Sequence, residues 1–344
     1  MVLPSRRSAV VRRIALEWRR LTSPARARRV GKGEPTLIAC SGGADSSALV
    51  LALAAVADNV VIGHVVHDLR ARAEALADRD AARTLAEVLG VRFVEREVRV
   101  QRIGGNAEAM ARRLRYSALA EMARECGVRY VATAHHAHDQ MESVLMHLVR
   151  GAGPRGLGGI SPRRRIDAAG GGPWLIRPML EIAPDEARAL CRGCSWTWRE
   201  DATNADTSRL RAAIRHEVMP RLLAMRPSAA ERIADAATLQ RQLAAMLRRA
   251  AKRRIDTELT WTRAELRRNS APMLGELLRQ AFATLDDGRG LDRLPARSIG
   301  AAVRLIRSAD TEPRELNWPG AAVEITSHRV VLRATRASRL GSSR

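Results

Sequence analysis

The chain has 344 residues, of which 46% are apolar, and this size and composition suggest about two folded domains and exclude a disordered tail. The formal net charge of +22 favours a polyanionic partner, because each arginine that neutralises a phosphate releases condensed counterions. The four cysteines are too few for a disulfide framework, and no apolar run reaches the roughly 18 residues of a transmembrane helix. The composition therefore predicts a globular, cytoplasmic protein, not bound to a membrane, that contacts nucleic acid or nucleotides.

The first 33 residues form a basic segment in which Glu17 is the only acidic residue. This segment lacks the apolar run of a secretory signal. Three interpretations stay open for it: an organelle transit peptide, a basic arm that contacts RNA, and a helix packed on the first domain. Lysine occurs only at Lys32 and Lys252, so a genomic bias toward arginine is the alternative explanation for the positive charge as a whole.

Short apolar runs alternate with amphipathic stretches from Pro35 to Ile182. The runs predict strands at Thr36–Cys40, Val60–Val66, Val91–Val98 and Tyr130–Ala134, and the stretches predict helices at Ser46–Ala57, Ala71–Leu89, Asn106–Glu125 and Asp139–Arg150. Strands that alternate with helices of about 12 residues favour an α/β fold with a doubly wound, mainly parallel sheet.

The strand pattern weakens in the later part of the chain. Glycine and proline cluster over Gly151–Pro184, which predicts a long functional loop. Arg226–Arg254 reads as a long helix, and Ala322–Ile325 with Arg329–Leu332 suggests a small hairpin. We therefore predict a basic extension over 1–33, an α/β domain over 34–222, and a smaller, mainly helical region over 223–344 that contacts RNA.

The most informative segment is Ser41-Gly42-Gly43-Ala44-Asp45-Ser46-Ser47, which joins an apolar strand to a helix. Glycines let backbone N–H groups approach a phosphate, and the helix start supplies unsatisfied N–H donors. Asp45 does not favour contact with a bare phosphate, so we predict that it holds Mg²⁺ beside the phosphates. The alternative, a glycine turn with an ordinary helix cap, is common for a glycine pair alone but not for the whole string. The string is neither a Walker A loop nor a G-x-G-x-x-G dinucleotide turn.

This string resembles the signature of the N-type ATP pyrophosphatases, the PP-loop superfamily, which have a Rossmann-like sheet and cleave ATP between its α- and β-phosphates. Four further segments resemble patterns of the tRNA-lysidine synthetase family within it. They are His64–Arg70, Gly105–Tyr116, Ala134–Ser143 with Arg150–Gly153, and Trp198–Asn204 with Arg209–Arg215. The resemblance covers about Pro35 to Leu223.

The resemblance implies an ATP- and Mg²⁺-dependent ligase that joins lysine to the anticodon cytidine of an isoleucine tRNA with a CAU anticodon. The catalytic residues that it implies are Asp45, Arg115, Asp139 and Glu142. The residues that it implies for ATP are Ser41, Gly42, Gly43, Ala44, Asp45, Ser46, Ser47, His67 and His135. Those implied for the other substrates are Arg112, His136, Gly151, Gly153, Arg209 and Arg215.

The chain departs mildly from the family pattern at Ser143, which keeps the hydroxyl of the family's threonine, and more strongly at two positions, with His138 in place of an aspartate and Ala212 in place of an asparagine. The two stronger departures motivate one alternative, an RNA-binding protein that has lost catalysis, and a tRNA thiolase of the same superfamily is another. We predict that Cys191 and Cys194 are ordinary helix-end residues, because no second Cys-x-x-Cys accompanies them. A homodimer is left open.

Overall fold

The computed structural model describes residues 1–23, 33–68, 71–100, 107–167, 172–200, 209–255, 258–285 and 294–335. The chain divides into two compact units, residues 1–151 with 158–237 and residues 152–157 with 238–344. The division after residue 237 falls inside one long helix, Ala229–Lys252. It therefore lies later in the chain than the boundary predicted at residue 222, which stays a prediction. In the described ranges, no helix combines the length and the apolar character that a membrane span requires.

The first unit alternates strands and helices as predicted. Its elements, with the short helix α6 of the other unit included to keep chain order, are α1 (Ala9–Thr22), β1 (Thr36–Ala39), α2 (Ala44–Ala54), β2 (Val60–His67), α3 (Arg72–Leu89), β3 (Arg92–Val98), α4 (Ala107–Glu125), β4 (Tyr130–Ala132), α5 (Ala137–Val149), α6 (Pro154–Leu157), β5 (Arg163–Arg165), β6 (Trp174–Ile176), α7 (Pro184–Gly193), α8 (Arg209–Ala213), a π-helical turn (Ile214–Val218) and α9 (Met219–Met225). Helix α10 (Ala229–Lys252) follows.

A six-stranded sheet in the order β3-β2-β1-β4-β6-β5 forms the centre of this unit. All neighbouring strands are parallel except β5, which pairs with β6 in the antiparallel direction. The predicted doubly wound, mainly parallel α/β sheet is confirmed. The prediction of a loop over Gly151–Pro184 was wrong, because this stretch contributes β5 and β6. Both strands have only three residues, and the Arg-Arg-Arg of β5 shows no apolar alternation that would identify a strand.

Helix α1 is part of this unit's packed interior. Its apolar face is buried, and Trp18, which is fully buried, donates its indole N–H to the hydroxyl of Thr36 at 2.9 Å. The carbonyl of Thr22 accepts a hydrogen bond from the Tyr130 hydroxyl at 2.8 Å. Of the three interpretations of the basic N-terminal segment, its described part therefore shows the packed helix.

Helix α2 is buried on all sides from Ser46 to Leu53, which explains why its sequence is apolar throughout instead of amphipathic. It contacts the sheet together with helices α1, α3 and α7. Because α2 begins directly after β1, this burial fixes the loop between them at the carboxyl edge of the sheet.

The second unit combines helices with a small antiparallel sheet. After α10 it contains β7 (Thr260–Thr262), α11 (Arg263–Arg267), α12 (Ala271–Leu285), α13 (Ala296–Arg307), β8 (Arg314–Trp318), β9 (Ala321–Ile325) and β10 (Arg329–Ala334). The strand order is β7-β10-β9-β8, and the β9–β10 hairpin lies where the sequence predicts it. The sequence did not predict β7, which is short, or β8, which is mostly exposed.

Candidate active site

A cleft of about 410 Å³ opens at the carboxyl ends of the strands of the first unit, where parallel α/β sheets bind ligands. It is lined by Ala39, Cys40, Ser41, Gly43, Asp45, Ser46, Gly63, His64, Val65, Val66, His67, Ala75, Asp78, Arg112, Arg115, Tyr116, Leu119, Thr133, Ala134, His135, Asp139, Arg199 and Glu200. The ends of β1, β2 and β4 and one face of α4 thus contribute to one cleft.

The loop between β1 and α2 is held by its own hydroxyl groups. The Ser46 hydroxyl accepts from the Ser41 N–H at 3.1 Å and donates to the Gly43 carbonyl at 3.0 Å. The two serine hydroxyl oxygens lie 3.2 Å apart. Gly43 is the cap residue of α2, so the N–H groups that follow it point from the helix start without helical partners. The loop is therefore ordered before any phosphate binds.

Gly42 is needed for two reasons in this loop. Its φ of +86° lies in the left-handed region, and a Cβ there would lie 2.9 Å from the Asp78 carbonyl oxygen. Its own carbonyl accepts from the Arg199 N–H at 3.0 Å, while the Arg199 Nε donates to the Asp78 carboxylate at 3.3 Å. The segment around Arg199 thus packs across the loop.

His136 lies between two carboxylates. It caps α5: the Asp139 N–H donates to Nδ1 of His136 at 3.4 Å, and the His136 N–H donates to the Asp139 carboxylate at 2.9 Å. Because Nδ1 accepts this hydrogen bond, Nε2 is the ring nitrogen left to donate, and it lies 3.6 Å from Oδ2 of Asp45. Burial would raise the pKa of Asp139, but His136 and His135 outweigh it and hold this pKa below its usual value. Asp139 is therefore an ionised carboxylate at the cleft.

Asp45 fits the predicted role of a Mg²⁺ ligand. Burial, opposed by His136 and reinforced by the negative charge of Asp139, raises the pKa of Asp45. Its Oδ1 atom is buried and accepts no hydrogen bond from any described residue. In the described ranges no group of three histidine, cysteine or acidic residues could hold a metal alone. Mg²⁺ in nucleotide sites uses one or two carboxylates plus substrate phosphates, so a single orphaned carboxylate oxygen is sufficient.

His135 lies near His136 and Asp139, and its own ring is neutral. Its Nδ1 is 2.9 Å from the Thr133 hydroxyl, and burial together with the charge of Arg177 lowers its pKa to about 3. At the other end of the cleft, His64 binds the Cys40 carbonyl through Nδ1 at 2.8 Å, and His67 lines the wall at the end of β2. Histidine side chains therefore contribute to the cleft lining from the ends of both β2 and β4.

Glu142 occupies a different environment from Asp139. The family resemblance implies a catalytic role for both carboxylates, and residues three apart lie on one helix face. In the structure only Asp139 lines the cleft, whereas Glu142 is 1% exposed and forms ion pairs with Arg211 and Arg215. The distance from Arg215 Nη2 to Glu142 is 2.6 Å. The spacing of Asp139 and Glu142 does not indicate that two later arginines form ion pairs with Glu142.

The remaining predicted residues differ in what the structure shows. Arg112 and Arg115 line the cleft. Gly151 follows α5 with a φ of +70°, and Gly153 precedes α6 in the other unit. Arg209 begins α8, but its side chain is outside the described residues. No site role followed from the sequence for five further lining residues, Asp78, Tyr116, Thr133, Arg199 and Glu200, although the Trp-Arg-Glu string was an available signal for the last two.

The cysteines near the loop are buried. Cys40 lies at the end of β1, and the thiol of Cys191 donates to the Ala44 carbonyl at 3.4 Å. Burial, followed by the influence of Cys194, raises the pKa of Cys191 to about 12. Cys191 and Cys194 lie at the end of α7, as the sequence predicts, and they pack in the core.

The chain matches one family model and several curated proteins. A family model described as a PP-loop domain matches residues 17–222. The chain is 42% identical over 214 residues to the tRNA(Ile)-lysidine synthase of Salinispora tropica, with 60% of this chain and 62% of that protein covered. It is 32% identical over 325 residues to that of Geobacter sulfurreducens, with 90% and 67% covered.

A solved structure shares the fold. The U34-tRNA thiolase NcsA from Methanococcus maripaludis, with its 4Fe–4S cluster, superimposes with a TM-score of 0.51 at 15% identity, over 68% of this chain and 79% of that one. The chain spans about two thirds or less of the length of the two curated relatives. The matches run through the phosphate loop, the cleft and α5, and the chain therefore belongs to the PP-loop family and, within it, to the tRNA(Ile)-lysidine synthases.

Proposed function

We propose that this chain ligates lysine to C2 of the wobble cytidine in a tRNA(Ile) with a CAU anticodon, using ATP and releasing AMP and pyrophosphate. The observation that carries the proposal is the ionised Asp139 held 3.4 Å from His136, which in turn lies 3.6 Å from Asp45 at the start of the phosphate loop. This arrangement places an anionic site for an ammonium group next to a site for a polyphosphate. The named function of the two curated relatives supports the choice of substrates. We propose a cytoplasmic location for this reaction.

The first step activates the base. O2 of the cytidine attacks the α-phosphorus of ATP, the bond from that phosphorus to the bridging oxygen breaks, and pyrophosphate leaves. The helix start after Gly43 and the serine hydroxyls would stabilise the leaving pyrophosphate, and Arg115 would neutralise the α-phosphate. Mg²⁺, held by Asp45, would supply further charge neutralisation at these phosphates.

The second step joins the lysine. Its ε-amine attacks the adenylated C2, the C2–O2 bond breaks, and AMP leaves with that oxygen. Only the neutral amine is nucleophilic, so the ammonium must first pass its proton to water. Asp139, whose pKa lies below its usual value, would stay ionised and orient the ammonium for this transfer. Glu142, neutralised by Arg211 and Arg215, would position α5 and Arg215 for this step.

The two alternatives raised by the sequence receive less support. Thiol chemistry needs a reactive thiolate, but Cys40, Cys191 and Cys194 are buried, and the pKa of Cys191 is about 12. An RNA-binding protein without catalysis has no need for a buried carboxylate oxygen beside a phosphate loop, and Asp45 has one. The substitution at His138 leaves Asp139 in place as the carboxylate of the cleft.

The test is incorporation of radiolabelled lysine into unmodified tRNA(Ile) with a CAU anticodon, with and without ATP and Mg²⁺. We expect ATP-dependent labelling that disappears when the wobble cytidine is replaced. Binding of the tRNA without labelling would overturn the proposal, and sulfur transfer to the same tRNA would then identify the thiolase alternative.

A further inference from the structure

One phenol in the first unit is surrounded by three arginines. The guanidinium carbons of Arg112 and Arg164 lie 5.2 Å and 4.9 Å from the ring centre of Tyr116. The third arginine, Arg177, lies near the same phenol: burial would raise the pKa of Tyr116, but the charges of Arg112, Arg177 and Arg164 outweigh it and lower this pKa. These residues come from α4, from β5 and from the end of β6, so the chain brings three separate elements together around one ring.

The cluster lacks the carboxylate partners that normally accompany buried arginines. In the described part of the chain, no acidic side chain forms an ion pair with Arg112, Arg164 or Arg177. Arg177 is only 2% exposed, and its Nε atom has no hydrogen-bond partner among the described residues. Burial and the charges of Arg164 and Arg112 lower the pKa of Arg177 to about 10. Like charges in this arrangement repel one another unless an anion joins them.

The position of the cluster relative to the phosphate loop matters. Arg112 and Tyr116 line the cleft, and β6 lies beyond β4 in the strand order. The end of β2, which carries His67, lies on the other side of β1. Arg112 and Tyr116 therefore join the cluster to the cleft that contains the phosphate loop, while Arg164 and Arg177 extend it toward the β5 edge of the sheet, away from β2.

We propose that Arg112, Arg164 and Tyr116, backed by Arg177, form an oxyanion subsite that holds a phosphodiester of the RNA strand beside the target nucleotide. This inference rests on the proposed function. Guanidinium forks match the paired oxygens of a phosphate, and the exposed Arg112 suits a polymer that enters from solvent. Three positive charges exceed what a single amino-acid carboxylate requires, so the carboxylate of lysine is the disfavoured occupant.

The experiment compares binding of a CAU anticodon stem-loop RNA to the full chain and to Arg164→Gln and Arg112→Gln variants by fluorescence anisotropy over a salt series. We expect each variant to weaken binding on the order of 10-fold, since hydrogen bonds to charged groups are involved. The slope of log affinity against log salt should fall by about 0.7 to 1 for each lost phosphate contact. ATP affinity and the KM for lysine should stay at their wild-type values.

Arg165→Gln is the matched control, because Arg165 lies next to Arg164 in β5 but contacts the Trp174 ring at 4.0 Å instead of Tyr116. It should leave the salt slope unchanged. If Arg164→Gln does not fold, Arg112→Gln carries the test, since the Arg112 side chain is exposed and is in no hydrogen bond or ion pair of the described structure.

Wild-type RNA affinity and salt slope in both variants would overturn the subsite, and so would a raised KM for lysine with unchanged RNA binding. Either result can occur while the wild-type chain still incorporates lysine, which leaves the proposed function standing. Conversely, a wild-type chain that binds the RNA with the expected slope but incorporates no lysine refutes the proposed function alone. A wild-type chain that does not bind the RNA refutes both.

Discussion

The phosphate loop and the start of helix α5 both line the cleft, yet different forces hold them. Within the loop, neutral hydroxyl and backbone groups of Ser41, Gly43 and Ser46 bind one another over a few residues, and the remote contacts, from the Arg199 N–H and the Cys191 thiol, are also uncharged hydrogen bonds. Helix α5 is fixed by charges whose partners are distant in sequence: Arg211 and Arg215 come 69 and 73 residues after Glu142. A substitution in the loop should therefore act locally, whereas one in α5 should change either the chemistry or the anchoring of a remote segment.

Asp139→Asn is the sharpest test of whether charge on α5, unlike the uncharged bonds of the phosphate loop, contributes directly to the chemistry. The amide oxygen can still accept the His136 N–H, so the helix cap should survive, but the negative charge near the ammonium is lost. We expect lysine incorporation to fall by about 100-fold or more, with tRNA binding within a few-fold of wild type and an unchanged Tm. Asp185→Asn, at an exposed position in the first turn of α7, is the control and should retain full activity. Normal turnover in Asp139→Asn would refute the role of this carboxylate.

Glu142→Gln should affect stability more than the other substitutions. It removes the charge that neutralises Arg211 and Arg215, and removal of one partner from a buried ion pair leaves uncompensated charge. The two arginine side chains are 28% exposed, so solvent reduces the loss to about 1 to 3 kcal/mol of unfolding free energy. Urea denaturation measures this loss, and Glu121→Gln, which breaks a surface pair with Arg96, should cost less than about 1 kcal/mol. Unchanged stability with abolished activity would instead make Glu142 a catalytic residue.

The two glycines of the loop form a matched pair. Gly42→Ala places a Cβ 2.9 Å from the Asp78 carbonyl oxygen at a positive φ, and it should cost about 1 to 2 kcal/mol and weaken ATP binding. Gly43→Ala meets no atom closer than 3.6 Å and has an ordinary φ of −78°, so its Tm should stay near that of wild type. Thermal unfolding with and without ATP measures both variants. Equal destabilisation by the two would show that the loop is not held as described.

The smallest effect concerns acid stability. His135 has a folded pKa of about 3 and an unfolded pKa near 6.5, so the unfolded chain binds the extra proton first as the pH falls. Its contribution to stability is complete above about pH 6.5 and is lost as the pH falls toward 3. The loss has an upper limit of about 1.4 kcal/mol per pH unit, and partial exposure of the ring reduces it. In urea titrations at pH 7, 6 and 5, His135→Gln should therefore lose less stability on acidification than wild type. Parallel curves for the two proteins would contradict this assignment.

The sequence predicts best what depends on neighbours along the chain. The loop from Ser41 to Ser47 and the parallel strands before and after it follow from local patterns of glycine, hydroxyl and apolar residues. The partners of Glu142 do not, because nothing near α5 indicates which of many arginines will reach it. Strands β5 and β6 were not predicted because their partners are also distant in sequence. Each has only three residues and forms a strand because a neighbouring strand is present to pair with it.

The hydrogen bond between the Tyr130 hydroxyl and the Thr22 carbonyl bears on how the chain is made. The two residues are 108 positions apart, and Trp18 on the same helix needs β1 before it is covered. A ribosome adds about 5 to 20 residues per second, so α1 emerges roughly 5 to 20 s before β4 exists to complete its binding site. During that interval α1 can pack on β1 and α2 but still lacks Tyr130, and its contacts with β6 and α7 form later again.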